Sequence, residues 1–365
     1  MTEEEASFGV DPVAWDVAER VAGQLLRRAE PVDQATLQRL EDDFAEATAL
    51  AESLVAQATG LSSGSGPARS FVTDRGGWVR ANVASFRRLL RPLGERLAAE
   101  PARARRALLP ASRAAAGVEV GVLLAWMSGR VLGQYDLLPA QGSEPGDLVY
   151  YVGPNVAELE RRHGFAPKEF RLWIALHEVT HRMQFTGVPW LRDHFLGLVE
   201  RGTSLATFDG RVVLDALLRA ASELRAGRNP LAEGGVVALL ASSEQLATLR
   251  EAQALMSLLE GHGDVVMSLA GESRIPGATR FAETLRRRRE SATGVARLLQ
   301  QVVGVEAKLR QYAQGEHFVE QVRAAGGDEL LARVWSGPEM LPSLEEIRSP
   351  ERWIARVGGV AAARA

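Results

Sequence analysis

Cysteine is absent from the 365 residues, so disulfides and thiolate metal sites are impossible, and any bound metal must be held by histidine and carboxylates. Aromatic residues are scarce, at 6%. No long apolar run occurs either. The most apolar stretch, Gly117 to Gly133, carries Glu119 and Arg130 and is too short and too charged to span a bilayer. Neither sign of charge dominates: a net charge of -3 gives no general pull toward nucleic acid or an anionic membrane. The chain opens Met1-Thr2-Glu3-Glu4-Glu5, acidic where a secretory signal needs basic and apolar residues. The expectation is a cytoplasmic protein with no nucleic-acid or membrane partner.

What is present points to a folded, mostly helical chain. Hydrophobic residues make up 46% and charged residues 24%, a globular profile, and the remainder leans to Ala, Leu, Arg and Gly. Asp11-Pro12 reads as a capped helix start, followed by Trp15, Ala18, Val21, Ala22 and Leu25 at helical spacing. Asp33 caps a second helix, Leu61 to Pro67 reads as loop, a third helix starts near Asp74, and a fourth covers Ser112 to Leu132. After Tyr135 the character changes. Asp147 to Val152 is the best strand, closed by Gly153-Pro154. A helix follows from Pro167 to about Phe185, then helical stretches from Ser242 to Leu269 and Ala278 to Arg310. The tail, with Pro338, Pro342 and Pro350, reads as short helices. This describes a mainly α fold of the α+β kind. An N-terminal helical portion, residues 1–135, precedes a catalytic domain, residues 136–365, or the two make one continuous unit.

The chemistry sits in His177-Glu178-Val179-Thr180-His181. On a helix, two histidines at i and i+4 lie on one face, so both imidazoles can reach one Zn²⁺, with Glu178 beside them to take a proton from water. A chain with 6 His and 46 acidic residues would show the pattern by chance about 0.01 times. A catalytic zinc needs a third protein ligand. The metzincin extension does not supply it, because its Gly position holds Gln184 and its His position Gly187. Glu200 lies 19 residues after His181 at a helix end. Glu260, in Glu260-Gly261-His262-Gly263-Asp264, shares a helical face with Asp264 and is flanked by apolar residues. One carboxylate would sit on the metal and the other behind a ligand histidine, the pair being buried. Glu260 is the expected ligand, with Glu200 and His262 as alternatives.

These segments resemble the glutamate-zincins. More narrowly they are similar to a bacterial family of zincin-like hydrolases, some labelled as associated with biosynthesis of a deazaflavin coenzyme. The residues that carry the resemblance are Gly133-Gln134-Tyr135-Asp136, the motif helix with Val188-Pro189-Trp190, the Glu260-Gly261-His262 segment, and Lys308-Leu309-Arg310-Gln311-Tyr312 before Gly315. The resemblance implies a zincin-like fold and a peptidase activity.

The remaining candidates have ordinary readings beside the functional ones. Tyr312 or His262 could stabilise an oxyanion, although a structural Tyr or His is commoner. His194 reads as a loop or helix-surface histidine, and Arg286 to Arg289, flanked by Glu283 and Glu290, as a solvated helix face. Leu148 to Val152 could be an edge strand that pairs with a peptide, or a plain core strand. The expected activity is hydrolysis of an amide bond in a peptide or small amide, with Glu178 as general base and Zn²⁺ on His177, His181 and Glu260. The rival is a zinc-stabilised binding module without turnover; Glu178, which a ligand set does not need, argues against it.

Overall fold

The computed structural model describes residues 11–26, 33–99, 110–138, 148–204, 243–271, 274–290 and 305–364. The chain divides into two compact units, Met1–Gly187 with Ala270–Phe281 and Val188–Leu269 with Ala282–Ala365. Both are mainly helical, and the first carries a small sheet.

In the first unit, α1 (Trp15–Leu26) begins three residues after Pro12, later than its sequence suggests. Ala14 donates its N–H to the carbonyl of Arg113, so the chain before Trp15 is tied to a neighbour and not yet helical. Helix α2 (Gln34–Thr59) starts as expected, with the Asp33 carboxylate accepting from the N–H of Thr36, and ends on Gly60 in the left-handed conformation. Then come α3 (Arg75–Ala99) and α4 (Pro110–Ser128), which ends short of the expected Leu132. Trp15, Trp78, Val83 and Leu124 share one core among α1, α3 and α4.

Three strands, β1 (Arg69–Thr73), β2 (Gly133–Tyr135) and β3 (Leu148–Val152), form a sheet of order β1-β3-β2. β1 runs parallel to β3, with Arg69 opposite Leu148 and Thr73 opposite Val152. β2 runs antiparallel to it, with Gly133 opposite Tyr151 and Tyr135 opposite Val149. β3 is therefore paired on both sides. Of its two readings the plain core strand holds: its backbone is committed within the sheet, and the edges belong to β1 and β2. Tyr151 turns inward from β3, stacks on Phe44 of α2 with ring centroids 3.8 Å apart, and shares a 2.8 Å hydrogen bond with Thr48.

After α5 (Gly153–His163) comes α6 (Pro167–Gly187), the helix with the His-Glu-x-x-His motif. It is anchored along its length. Near its start the Arg171 guanidinium makes a two-pronged bond to Glu160, at 2.8 Å for each nitrogen, and also pairs with Asp43 of α2. Phe170 packs against Phe165 and Phe281. Toward its end, Arg182 is fully buried, yet donates to the Glu52 carboxylate at 2.6 Å and to the carbonyl of Gly66 at 2.6 Å. Glu52 also accepts from the N–H of Ala68, just ahead of β1. A buried guanidinium needs such partners, because its desolvation is otherwise uncompensated.

The second unit holds α7 (Leu191–Ser204), α8 (Ser243–Gly271), α9 (Ala278–Glu290) and α10 (Val305–Ala332), the ends of α8 and α9 belonging to the first unit. Helix α10 is broken at Gly326–Gly327, where Gly327 takes a φ of 69°. The proline-rich tail forms two short 3₁₀ turns, Arg333–Trp335 and Pro338–Met340, and then the helices α11 (Leu344–Arg348) and α12 (Pro350–Arg364). Ala254, Leu258 and Val265 of α8 make one core with Phe318 and Val322 of α10 and Trp353 of α12. The backbones of α8 and α10 touch at two glycines. A Cβ on Gly261 would lie 2.1 Å from the carbonyl carbon of Gly315, and one on Gly315 would lie 1.8 Å from the Ser257 carbonyl oxygen. Among the described residues no helix is long and apolar enough to cross a membrane.

Candidate metal centre

α6 presents His177 and His181 one turn apart, half-buried, with ring centroids 4.6 Å apart and planes at 85°. Their Nε2 atoms face each other at 3.2 Å. Two zinc–nitrogen bonds of about 2.0–2.1 Å at a tetrahedral angle span about 3.3–3.4 Å, so the pair is already at the spacing a divalent ion requires. The Nδ1 of His181 lies 3.0 Å from Oε1 of Gln184, one turn further along the same helix. Among the described residues, His177, His181 and Glu260 form a group whose ligand atoms all lie within 4.8 Å of one another, and such a group could hold a metal ion. Two nitrogens and a carboxylate oxygen, with no sulfur, are the donor set of catalytic zinc sites with two histidines and one glutamate.

Glu178 is buried, and the edge of the sheet holds it. The N–H of Tyr135 in β2 donates to its Oε2 at 3.1 Å. Gly133, two residues earlier on the same strand, comes so close that a Cβ there would lie 2.6 Å from Cγ of Glu178 and 2.9 Å from its Oε1. In the antiparallel pairing Gly133 and Tyr135 stand on the same side of the ladder. Strand β2 thus spends its outward backbone on this carboxylate, and only glycine leaves room for the side chain at that approach. Neither residue stands out for such a role in the sequence, although both fall in the Gly-Gln-Tyr-Asp segment.

Glu200 is exposed on α7, and Glu260 and Asp264 of α8 are half-buried, not buried as their apolar flanks suggest. His262 is buried, with its ring edge-on to Trp335 at 5.2 Å, a packing role within the second unit. His194 packs edge-on to Trp190 at 5.8 Å, and burial, helped by Arg201, lowers its pKa. The side chain of Tyr312 lies outside the described residues. Arg287 pairs with Glu283 at 3.3 Å on exposed α9, as a solvated face would.

The sequence matches the zincin-like metallopeptidase family over residues 13–354, and the chain belongs to that family. A crystal structure of a proposed hydrolase with a novel fold, from Chloroflexus aurantiacus, is 32% identical; the match covers 95% of this chain and 99% of that one, with a TM-score of 0.70. No curated protein matches. The mainly helical fold with a small sheet is that of the family, and both comparisons support a hydrolase.

Proposed function

We propose that the chain is a zinc-dependent hydrolase of amide bonds, in a peptide or small amide, with His177, His181 and Glu260 as metal ligands and Glu178 as the proton carrier. The observation that carries this is the grouping of those three ligand-type side chains next to a buried carboxylate that the ligand set does not need. Zinc, when bound, supplies a Lewis acid that polarises a carbonyl and acidifies water to a pKa of about 7. Tyr135 N–H holds Oε2 of Glu178, and Oε1 is the oxygen we assign to the proton transfer. It takes a proton as the water oxygen adds to the amide carbon, and returns it to the nitrogen as the carbon–nitrogen bond breaks. An acid and an amine leave, and the carboxylate is regenerated.

Glu178→Gln keeps the shape of the side chain and removes its basicity. Against a mixed peptide library, cleavage should fall by about 10²-fold or more, while zinc content per chain stays that of the wild type. A chelator should stop the wild-type reaction. Cleavage that persists equally in Glu178→Gln would refute the role of Glu178, and a zinc-loaded wild type that cleaves nothing would favour the binding module.

A further inference from the structure

We infer that Gln184 is a positioning residue for the metal centre: it accepts the Nδ1–H of His181 and so turns the Nε2 lone pair of that ring toward the metal. The inference rests on the zinc reading above, and goes beyond it in naming what fixes the tautomer. Two contacts carry it. His181 Nδ1 lies 3.0 Å from Gln184 Oε1, and His181 Nε2 lies 3.2 Å from His177 Nε2. A neutral imidazole has one N–H and one lone pair. If the proton sat on Nε2 of His181, the Nδ1 lone pair would face the carbonyl oxygen of the amide, two acceptors at hydrogen-bond distance. With the proton on Nδ1, His181 donates to Gln184 and turns an Nε2 lone pair to the side where His177 Nε2 lies 3.2 Å away, and a metal shared by the two rings needs a lone pair on both of those nitrogens. That tautomer of His181 is also the one a metal needs.

Gln184 is fully buried on the same helix, so its amide has little freedom to leave. It is neutral where many ligand histidines are backed by a carboxylate. It therefore orients the ring without adding negative charge, which leaves the imidazole a weaker donor than a carboxylate would make it.

The test has two arms. In the metal-free wild type, long-range ¹H–¹⁵N NMR of the histidine rings should show His181 protonated on Nδ1 and unprotonated on Nε2. An Nε2–H form, with the amide turned to donate instead, overturns the inference without any variant. In the second arm, zinc affinity is measured by competition with a chromophoric chelator. Gln184→Leu should bind zinc 10–100-fold more weakly, the usual cost of losing such a partner, and Gln184→Glu should restore or exceed wild-type affinity. A merely structural role would not be rescued by a charged residue. The melting temperature of each metal-free variant shows whether it is folded. Should Gln184→Leu fail to fold, the wild-type NMR arm still decides. If wild type binds zinc and folded Gln184→Leu binds it equally, this inference fails and the zinc reading stands. If wild type binds no zinc, the zinc reading fails, and the tautomer measurement on the metal-free chain still decides the role of Gln184.

Discussion

At the scale of single residues, the site depends on a small one. Gly133 leaves the volume that the Glu178 side chain fills, and its neighbour Tyr135 supplies the N–H that holds one carboxylate oxygen. A methyl group at 133 would overlap Glu178 and push it from the strand. Gly133→Ala should therefore lower kcat by about 10–10²-fold, the scale of a displacement near 1 Å at a reacting group. Zinc content should be unchanged, since neither residue is a proposed ligand. Equal kcat for the variant would show that the strand does not set the position of Glu178. The histidine pair and the acid beside it are plain in the sequence, because i, i+4 spacing survives any environment. The roles of Gly133, Tyr135 and Gln184 are not, since each depends on which atom the folded chain brings alongside. Gln184 was the most accessible of the three, sitting three residues past His181 where the metzincin pattern has glycine.

Among elements, most helices were legible from capping and periodicity, although α5 (Gly153–His163) and the run of α10 beyond Arg310 were not, and the strands were legible only in part. β3 announced itself as Leu-Val-Tyr-Tyr-Val, but β1 is five residues of mixed character, Arg-Ser-Phe-Val-Thr, whose partner lies 79 positions later at matching register. Local pattern cannot reveal a parallel pairing of that separation. The central place of β3 was hidden for the same reason. The crossing of α8 and α10 was equally invisible, because a glycine in a helix shows its purpose only when the neighbouring backbone arrives. Here Gly261, next to Glu260, and Gly315 let the two helices touch. Gly315→Ala would drive a methyl into the Ser257 carbonyl, an overpacked crossing that should cost about 1–3 kcal/mol. Chemical denaturation of the variant checks this. A midpoint equal to wild type would mean that the helices part without penalty. At the other end of the same unit, Glu346 caps α11 and takes two bonds from Arg356, at 2.7 and 3.0 Å. Burial raises its pKa, but Arg356 and the cap outweigh this and hold it below the usual glutamate value.

For the molecule as a whole, metal and stability are linked, since a ligand that binds only the folded chain stabilises it. Zinc at 100 times its Kd should add about 2.7 kcal/mol, raising the melting temperature by a few degrees. Glu260→Ala should lose most of that rise and Glu200→Ala none of it, in parallel thermal scans with and without zinc. A full rise in Glu260→Ala would remove it from the ligand set. A different consequence follows from Arg182. Its guanidinium is sealed beneath α6 against Glu52 and two loop carbonyls. Removing Glu52 alone would strand a charge in the interior, at a cost of about 3–5 kcal/mol, whereas exchanging both for apolar residues of similar bulk could cost little. Positions 52 and 182, 130 residues apart in sequence, are therefore bound to one history. Among descendants of a common ancestor the two should be kept together or lost together, a paired signature of substitution at positions that include no proposed metal ligand.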